Sequence, residues 1–209
     1  MPRPRSLTDA EIAYAALAVI DRGGVRALTM RAVAAELEMA TMSIYRYVAN
    51  RQQLEELIVA VLFSEVDTNP PSRSSWRKQL TALIERVRDK VRDHPQVIPL
   101  GLPHRLTSAQ GLRLGETVLG ILADAGFTTE QRDLANRSLM VYLIGSLQFE
   151  HFGQLSWGGT AAVAELSRDE YPMLWASLHL SRRLTADQEF SRGLGVVLDG
   201  LEALLTEPH

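Results

Sequence analysis

Apolar residues recur along most of this chain at steps of three and four, the period of an amphipathic helix. Ile12, Ala15, Ala16, Val19 and Ile20 set the first such stripe. Trp76, Leu80, Leu83, Val87 and Val91 set a longer one, and Phe190, Leu194, Val197, Leu201 and Leu204 set the last. Runs of β-branched residues with period-two alternation are missing, so the pattern predicts an all-α protein. Thr8, with Glu11 three residues on, has the spacing of a capping box, and Gly23–Gly24 supply a C-cap, which predicts a helix over about 7–22. A second helix is predicted after the cap Thr29 (MRAVAAEL), a third shortly afterwards (ATMSIYRYV), and a fourth from Asn50.

Residues 67–75, with Pro70 and Pro71, form the clearest break, and they divide the chain into predicted domains at 1–68 and 69–209. The helix beyond is predicted to stop at His94-Pro95, because the residue before proline is pushed out of the α region. Pro95, Pro99, Gly101 and Pro103 predict an irregular corner over 95–106. Helices are expected at 107–125 and 128–152, then a glycine-rich loop over 153–160. A further helix is expected over 161–182, bent or ended by Pro172, and a last one over 186–206.

Composition narrows the class. The 209 residues are 46% hydrophobic and 22% charged, which suits a globular chain with a sizeable core. The longest apolar run, 139–147, falls well short of the roughly 18 residues of a membrane span. The N-terminal MPRPRSLTDAE lacks the apolar stretch of a signal peptide. With no cysteine, disulfides, thiolate zinc sites and cysteine nucleophiles are excluded, and the cytoplasm is the expected compartment. The net charge of −3 argues against a bulk basic nucleic-acid coat. It is unevenly placed, at +2 over residues 1–51, zero over 52–100 and −5 over 101–209.

Catalytic patterns are weak. Glu150 and His151 are adjacent, and neighbours on a helix point about 100° apart. His94 and His104 flank the corner without an evident carboxylate to complete a metal site. No nucleotide loop, nucleophile elbow or H-E-x-x-H run occurs. No catalytic residue, metal or cofactor is therefore expected.

The informative stretch runs from Leu28 to Leu54. Two short helices joined by a few residues have helix-turn-helix geometry. Val33, Ala34 and Leu37 would face inward from the first, Ile44 and Val48 from the second. The second would then expose Thr41, Met42, Ser43, Tyr45, Arg46 and Tyr47. Hydroxyls, a guanidinium and a methionine suit phosphates, base edges and thymine methyls in a major groove. Spacing alone fits equally a helical hairpin with a solvated face.

This stretch resembles the N-terminal DNA-binding domain of the tetracycline-repressor (TetR) family of bacterial transcription regulators. The match runs in order through Leu28-Thr29, Arg31, Val33-Ala34, Leu37, Ser43-Ile44-Tyr45-Arg46-Tyr47-Val48, Asn50-Arg51 and Leu54. The resemblance implies Thr29 as a phosphate anchor at a helix N-terminus. It implies Arg31 as a base-reaching residue, and Thr41, Met42 and Ser43 as the specificity positions. Tyr45, Tyr47 and Arg51 resemble backbone contacts, although the Tyr45 ring could pack between helices. Arg46 is either a contact or solvated, and Arg3 and Arg5 either a minor-groove arm or a tail. One departure stands out: the turn between the helices usually holds glycine and here holds Glu38. A non-glycine residue at positive φ is costly, so a differently shaped turn is expected.

For the remainder, the resemblance implies a helical effector-binding and dimerisation domain. The homodimer would form through the helices near 128–152 and 186–206, whose Gly145, Ser146, Gly193 and Gly200 permit close approach. An effector pocket is expected from His94, Leu102, His104, Met140, Tyr142, Phe149 and Trp175. The Leu100-Gly101 corner is similar to that of tetracycline repressors, but their metal-ligating histidine is replaced by Pro99. The effector is therefore expected to be an apolar or amphipathic organic molecule and not a tetracycline–magnesium complex. The implied function is a homodimeric, ligand-responsive repressor on a palindromic double-stranded operator, with no membrane partner. A helix-turn-helix regulator controlled by a protein partner is the alternative, and an all-helical enzyme a remote one.

Overall fold

Side chains set the helix starts in this protein. Thr8 accepts from the Glu11 amide while Glu11 Oε2 accepts from the Thr8 amide at 2.9 Å, the reciprocal capping box that the sequence predicted. Thr29 Oγ1 accepts from Ala32 N at 3.0 Å, and Asn50 Oδ1 from Gln53 N at 3.0 Å. The computed structural model describes residues 7–151, 167–181 and 184–206, and every element in it is helical. In order these are α1 (Asp9–Gly23), a 3-10 turn (Val25–Ala27), α2 (Met30–Glu36), α3 (Thr41–Ile44), α4 (Arg51–Ser64) and α5 (Trp76–Arg92). A second 3-10 turn (Pro95–Val97) leads into α6 (Ile98–His104), followed by α7 (Ala109–Asp124), α8 (Thr129–His151), α9 (Pro172–Ser181) and α10 (Ala186–Thr206).

The described chain packs as two units. The first comprises residues 7–74 and 82–118, the second residues 75–81 and those from 119 onward. The first is built on Ile12, Ala16 and Ile20 of α1, Val33 and Ala34 of α2, Ile44, Val48, and Leu54 and Ile58 of α4, with Val97 and Leu100 closing it. In the second, α8 and α10 pair, with Phe190, Leu194, Leu198 and Leu201 buried on α10 and Ala135 and Leu139 on α8. The Trp76 and Phe127 rings meet edge to face at 5.4 Å. Arg77 binds both Asp199 and Glu202 of α10.

Three expectations are corrected. The 95–106 corner is helical, because its prolines stand where they do little harm. Pro95 opens the 3-10 turn and Pro99 lies in the first turn of α6, where no N–H is needed. Pro103 falls one residue before that helix ends. Pro172 begins α9 instead of bending or ending a longer helix, with the turn at Ser167–Tyr171 preceding it. The third helix is a single turn, Thr41–Ile44, after which the chain tightens through a Tyr47 N to Ile44 O bond at 2.9 Å. The expected glycine-rich loop and the 161–166 part of the following helix lie outside the described residues, as do Arg3 and Arg5.

Candidate nucleic-acid interface

A four-residue helix has no stability of its own, since helix nucleation is unfavourable and propagation barely begins. Burial holds α3 in place. Ile44 is fully buried and Val48 nearly so, both in the core shared with α1, α2 and α4. Burying a side chain of this size contributes roughly 1.5–3 kcal/mol. With those two facing in, Met42 stands 78% exposed and Tyr45 47% exposed. Arg46 is exposed, and Thr41 and Ser43 are half-buried beside Met42. The two tyrosines differ: Tyr47 packs on the core, the arrangement considered for Tyr45, and Tyr45 projects.

On α2, Met30, Val33 and Ala34 point inward and Arg31 is exposed. Thr29 caps the helix through its oxygen lone pair, so its O–H can still donate outward.

The turn between α2 and α3 keeps the left-handed geometry despite Glu38. Its φ is 54°. Glu38 N bonds Ala35 O at 3.1 Å and Met39 N bonds Ala34 O at 2.9 Å, the hydrogen-bond pair of a Schellman cap. Met39 packs back on the core beneath it. The differently shaped turn expected from a missing glycine is thus not found. Two cap bonds and the Met39 contact outweigh the local cost of positive φ. The same pair of bonds recurs at Gly126, where φ is 98°, between Gly126 N and Ala123 O and between Phe127 N and Leu122 O.

Arg51 is held on two sides. Its Nε donates to Glu55 Oε1 at 2.8 Å and its Nη2 to the Val25 carbonyl at 3.0 Å, which ties α4 to the first 3-10 turn. The i,i+4 spacing of Arg51 and Glu55 was legible in the sequence; the Val25 carbonyl was not. The other oxygen of Glu55 lies 3.2 Å from Nε2 of the buried His104.

The residues expected to line a pocket fall in both units, His94, Leu102 and His104 in the first and Met140, Tyr142, Phe149 and Trp175 in the second. His94 Nδ1 lies 2.8 Å from Asp21 of α1, and His104 faces Glu55, so each imidazole meets a different carboxylate of the first unit. No group of three or more metal-ligating side chains occurs among the described residues. Leu102 is exposed on α6. Tyr142 donates to the Phe190 carbonyl at 2.6 Å, and its ring fills the space a side chain at Gly193 would need. Gly193 therefore serves packing within the chain, whereas a Cβ at Gly145 or Gly200 meets nothing within 4 Å. Met140 is half-buried, and Trp175 lies half-buried under the Arg168 guanidinium, 4.8 Å from its ring. Phe149 is exposed together with Leu134 and Val141 of α8.

Two family profiles match. The one described as bacterial regulatory proteins, tetR family, covers residues 12–57, and the tetracyclin repressor-like C-terminal domain covers 69–205. A transcriptional regulator of the HTH type from Saccharopolyspora erythraea is 32% identical over 173 residues, 80% of this chain and 73% of that one. The HTH-type transcriptional repressor DrrR1 of Streptomyces coeruleorubidus is 29% identical over 222 residues, 99% of this chain and 81% of that one. Apo ActR from Streptomyces coelicolor shares the fold, with a TM-score of 0.81 at 22% identity, over 97% of this chain and 98% of that one. Among the described residues no helix is long and apolar enough to cross a membrane. The helix-turn-helix geometry and both profile matches agree, and the chain belongs to the TetR family of bacterial transcriptional regulators, which are not enzymes.

Proposed function

We propose that this protein is a homodimeric repressor that binds a palindromic operator and is released by a small organic effector. The observation that carries the reading is an exposed Met42, flanked by half-buried Thr41 and Ser43, on a one-turn helix fixed by Ile44 and Val48. These side chains suit base edges and thymine methyls, with Arg31 beside them for a guanine. Thr29, Tyr45, Arg46, Tyr47 and Arg51 are assigned to the phosphate backbone. We assign DNA binding to residues 1–68 and effector binding and dimerisation to 69–209. Support for the repressor role comes from the repressors among its relatives, DrrR1 and the class A tetracycline repressor of Escherichia coli. Support for an organic effector comes from ActR, whose structure is known in complex with actinorhodin. Within the second unit Met140 and Trp175 are assigned to the effector. Exposed Leu134, Val141 and Phe149 of α8 and Val196 of α10 are assigned to the partner subunit, as an apolar face of this kind marks an interaction surface.

Selection from a random duplex library tests the reading. The expected result is enrichment of an inverted repeat with half-sites about one helical turn apart. Arg31→Ala is expected to cost about 1–3 kcal/mol on the selected site and to relax one base position, whereas Arg51→Ala weakens all sequences alike. Recovery of no preferred sequence overturns the proposal.

A further inference from the structure

Arg51, Glu55 and His104 form a continuous polar chain from the first turn of α4 to the last residue of α6. Glu55 gives one carboxylate oxygen to each neighbour, Oε1 to Arg51 Nε at 2.8 Å and Oε2 to His104 Nε2 at 3.2 Å. His104 is buried, and the Glu55 side chain is only 18% exposed. Arg51 opens outward at the other end, its side chain 46% exposed. Its Nη2 is fixed on the Val25 carbonyl. A guanidinium is a rigid planar fork, so fixing two of its nitrogens fixes the direction of the third. Here that third group is Nη1.

We propose that His104 is a positioning residue for the phosphate contact of Arg51, acting through Glu55, so that the C-terminal end of α6 sets DNA affinity without touching DNA. The proposal rests on the reading of Arg51 as a phosphate contact. With His104 in place, Glu55 cannot turn both oxygens toward Arg51. When the imidazole is withdrawn, the second carboxylate oxygen is free to close on the Nε–Nη2 edge of the guanidinium through two parallel bonds, the favoured geometry of that pair. The bidentate pair competes with the Val25 carbonyl for Nη2, so the guanidinium turns away from the direction in which Val25 and Glu55 together hold Nη1. The route passes through side-chain bonds alone and needs no displacement of α4 as a body.

The test uses the duplex selected by the wild-type protein and measures affinity against salt concentration. His104→Leu is expected to weaken binding about three- to tenfold. It should also flatten the plot of log K against log salt by about one phosphate's worth, roughly 0.9. His104→Gln, which keeps a donor near the same place, is expected to retain most of the affinity and is the variant to use if leucine disturbs folding. In an Arg51→Ala background, His104→Leu is expected to have no further effect, because the residue it acts on is gone. Selective binding by the wild type, with an unchanged salt slope in His104→Leu or an undiminished loss in the Arg51→Ala background, overturns the relay alone. A wild-type protein with no sequence preference overturns the reading of Arg51 and the relay with it.

Discussion

Replacing Glu38 by glycine is expected to stabilise the protein. Glu38 holds φ at 54° in a turn whose bond pattern is matched by Gly126 at 98°. A residue with a Cβ in the left-handed region carries a cost of roughly 1–2 kcal/mol. Glycine removes that cost but brings back roughly 0.5–1 kcal/mol of unfolded-state entropy. The net expectation for Glu38→Gly is a gain of about 0.5–1 kcal/mol. In a chain of this length each kcal/mol raises Tm by about 2–4 °C, so the shift is about 1–4 °C. Glu38→Asn should gain a similar amount, since asparagine tolerates the left-handed region and keeps a side chain's lower unfolded entropy. Glu38→Ala is the control: it removes the carboxylate but keeps the Cβ at positive φ, and should leave stability within about 0.5 kcal/mol. The reverse substitution, Gly126→Glu, should destabilise by more than Glu38→Gly gains, because φ there is 98°, beyond the left-handed well, while a Cβ meets nothing within 4 Å. Urea unfolding at one fixed protein concentration measures all four, with an unchanged m-value required. Equal stability of the glycine, asparagine and alanine variants would refute the left-handed strain at this turn. Operator affinity separates charge from strain, because glycine and alanine remove the same carboxylate and should raise it equally.

Gly193→Ala is expected to destabilise the protein by about 1–3 kcal/mol, since the new methyl runs into the Tyr142 hydroxyl and lies 3.0 Å from its Cε2. Gly200→Ala meets nothing within 4 Å among the described residues and should gain about 0.5–1 kcal/mol of helix stability; a raised dimer dissociation constant in sedimentation would place Gly200 at the subunit contact. Hydrogen bonds from Tyr14, at 2.6 Å, and from Lys90 hold the Glu65 carboxyl below its ordinary range. The folded state therefore favours the ionised form, and this stabilisation is present at neutral pH and lost only as pH falls through and below about 4.3. Tyr14→Phe should raise the Glu65 titration midpoint and shift the acid-unfolding transition to higher pH, as followed by NMR and circular dichroism. Thr8→Ala removes the capping box of α1 and should cost about 1 kcal/mol in the same urea assay.

Much of this architecture could be read from the residues alone. Caps at Thr8, Thr29 and Asn50 act within three residues of themselves, so their geometry is local and appears directly in sequence. The last helix was predicted over 186–206 and is found there, because its apolar stripe has the helical period and buries Phe190, Leu194 and Leu201 on one face. Prolines misled for the same local reason: Pro99 and Pro172 read as breakers, but each lies in the first turn of a helix, where the missing N–H costs nothing. At Glu38 the local preference was read correctly and then overruled by the cap bonds and the Met39 contact. The ties of His94 to Asp21 and of His104 to Glu55 join segments far apart in the chain, and no spacing rule encodes them. The exposure of Met42, Tyr45 and Arg46 was legible because Ile44 and Val48 fix the phase of that helix turn, whereas Thr41, Ser43 and Tyr47, also read as exposed, are half-buried.

The one-turn helix α3 has an evolutionary consequence. Its shape is imposed from below by Ile44 and Val48, and Met42, which points away from them, adds little to the core. Under the proposed function, a change at Met42 alters what the protein reads without altering whether it folds. On that reading, a lineage carrying this head can try new target sequences at Met42 while the core beneath is untouched. Readers of this construction can diversify quickly while the scaffold beneath them stays the same.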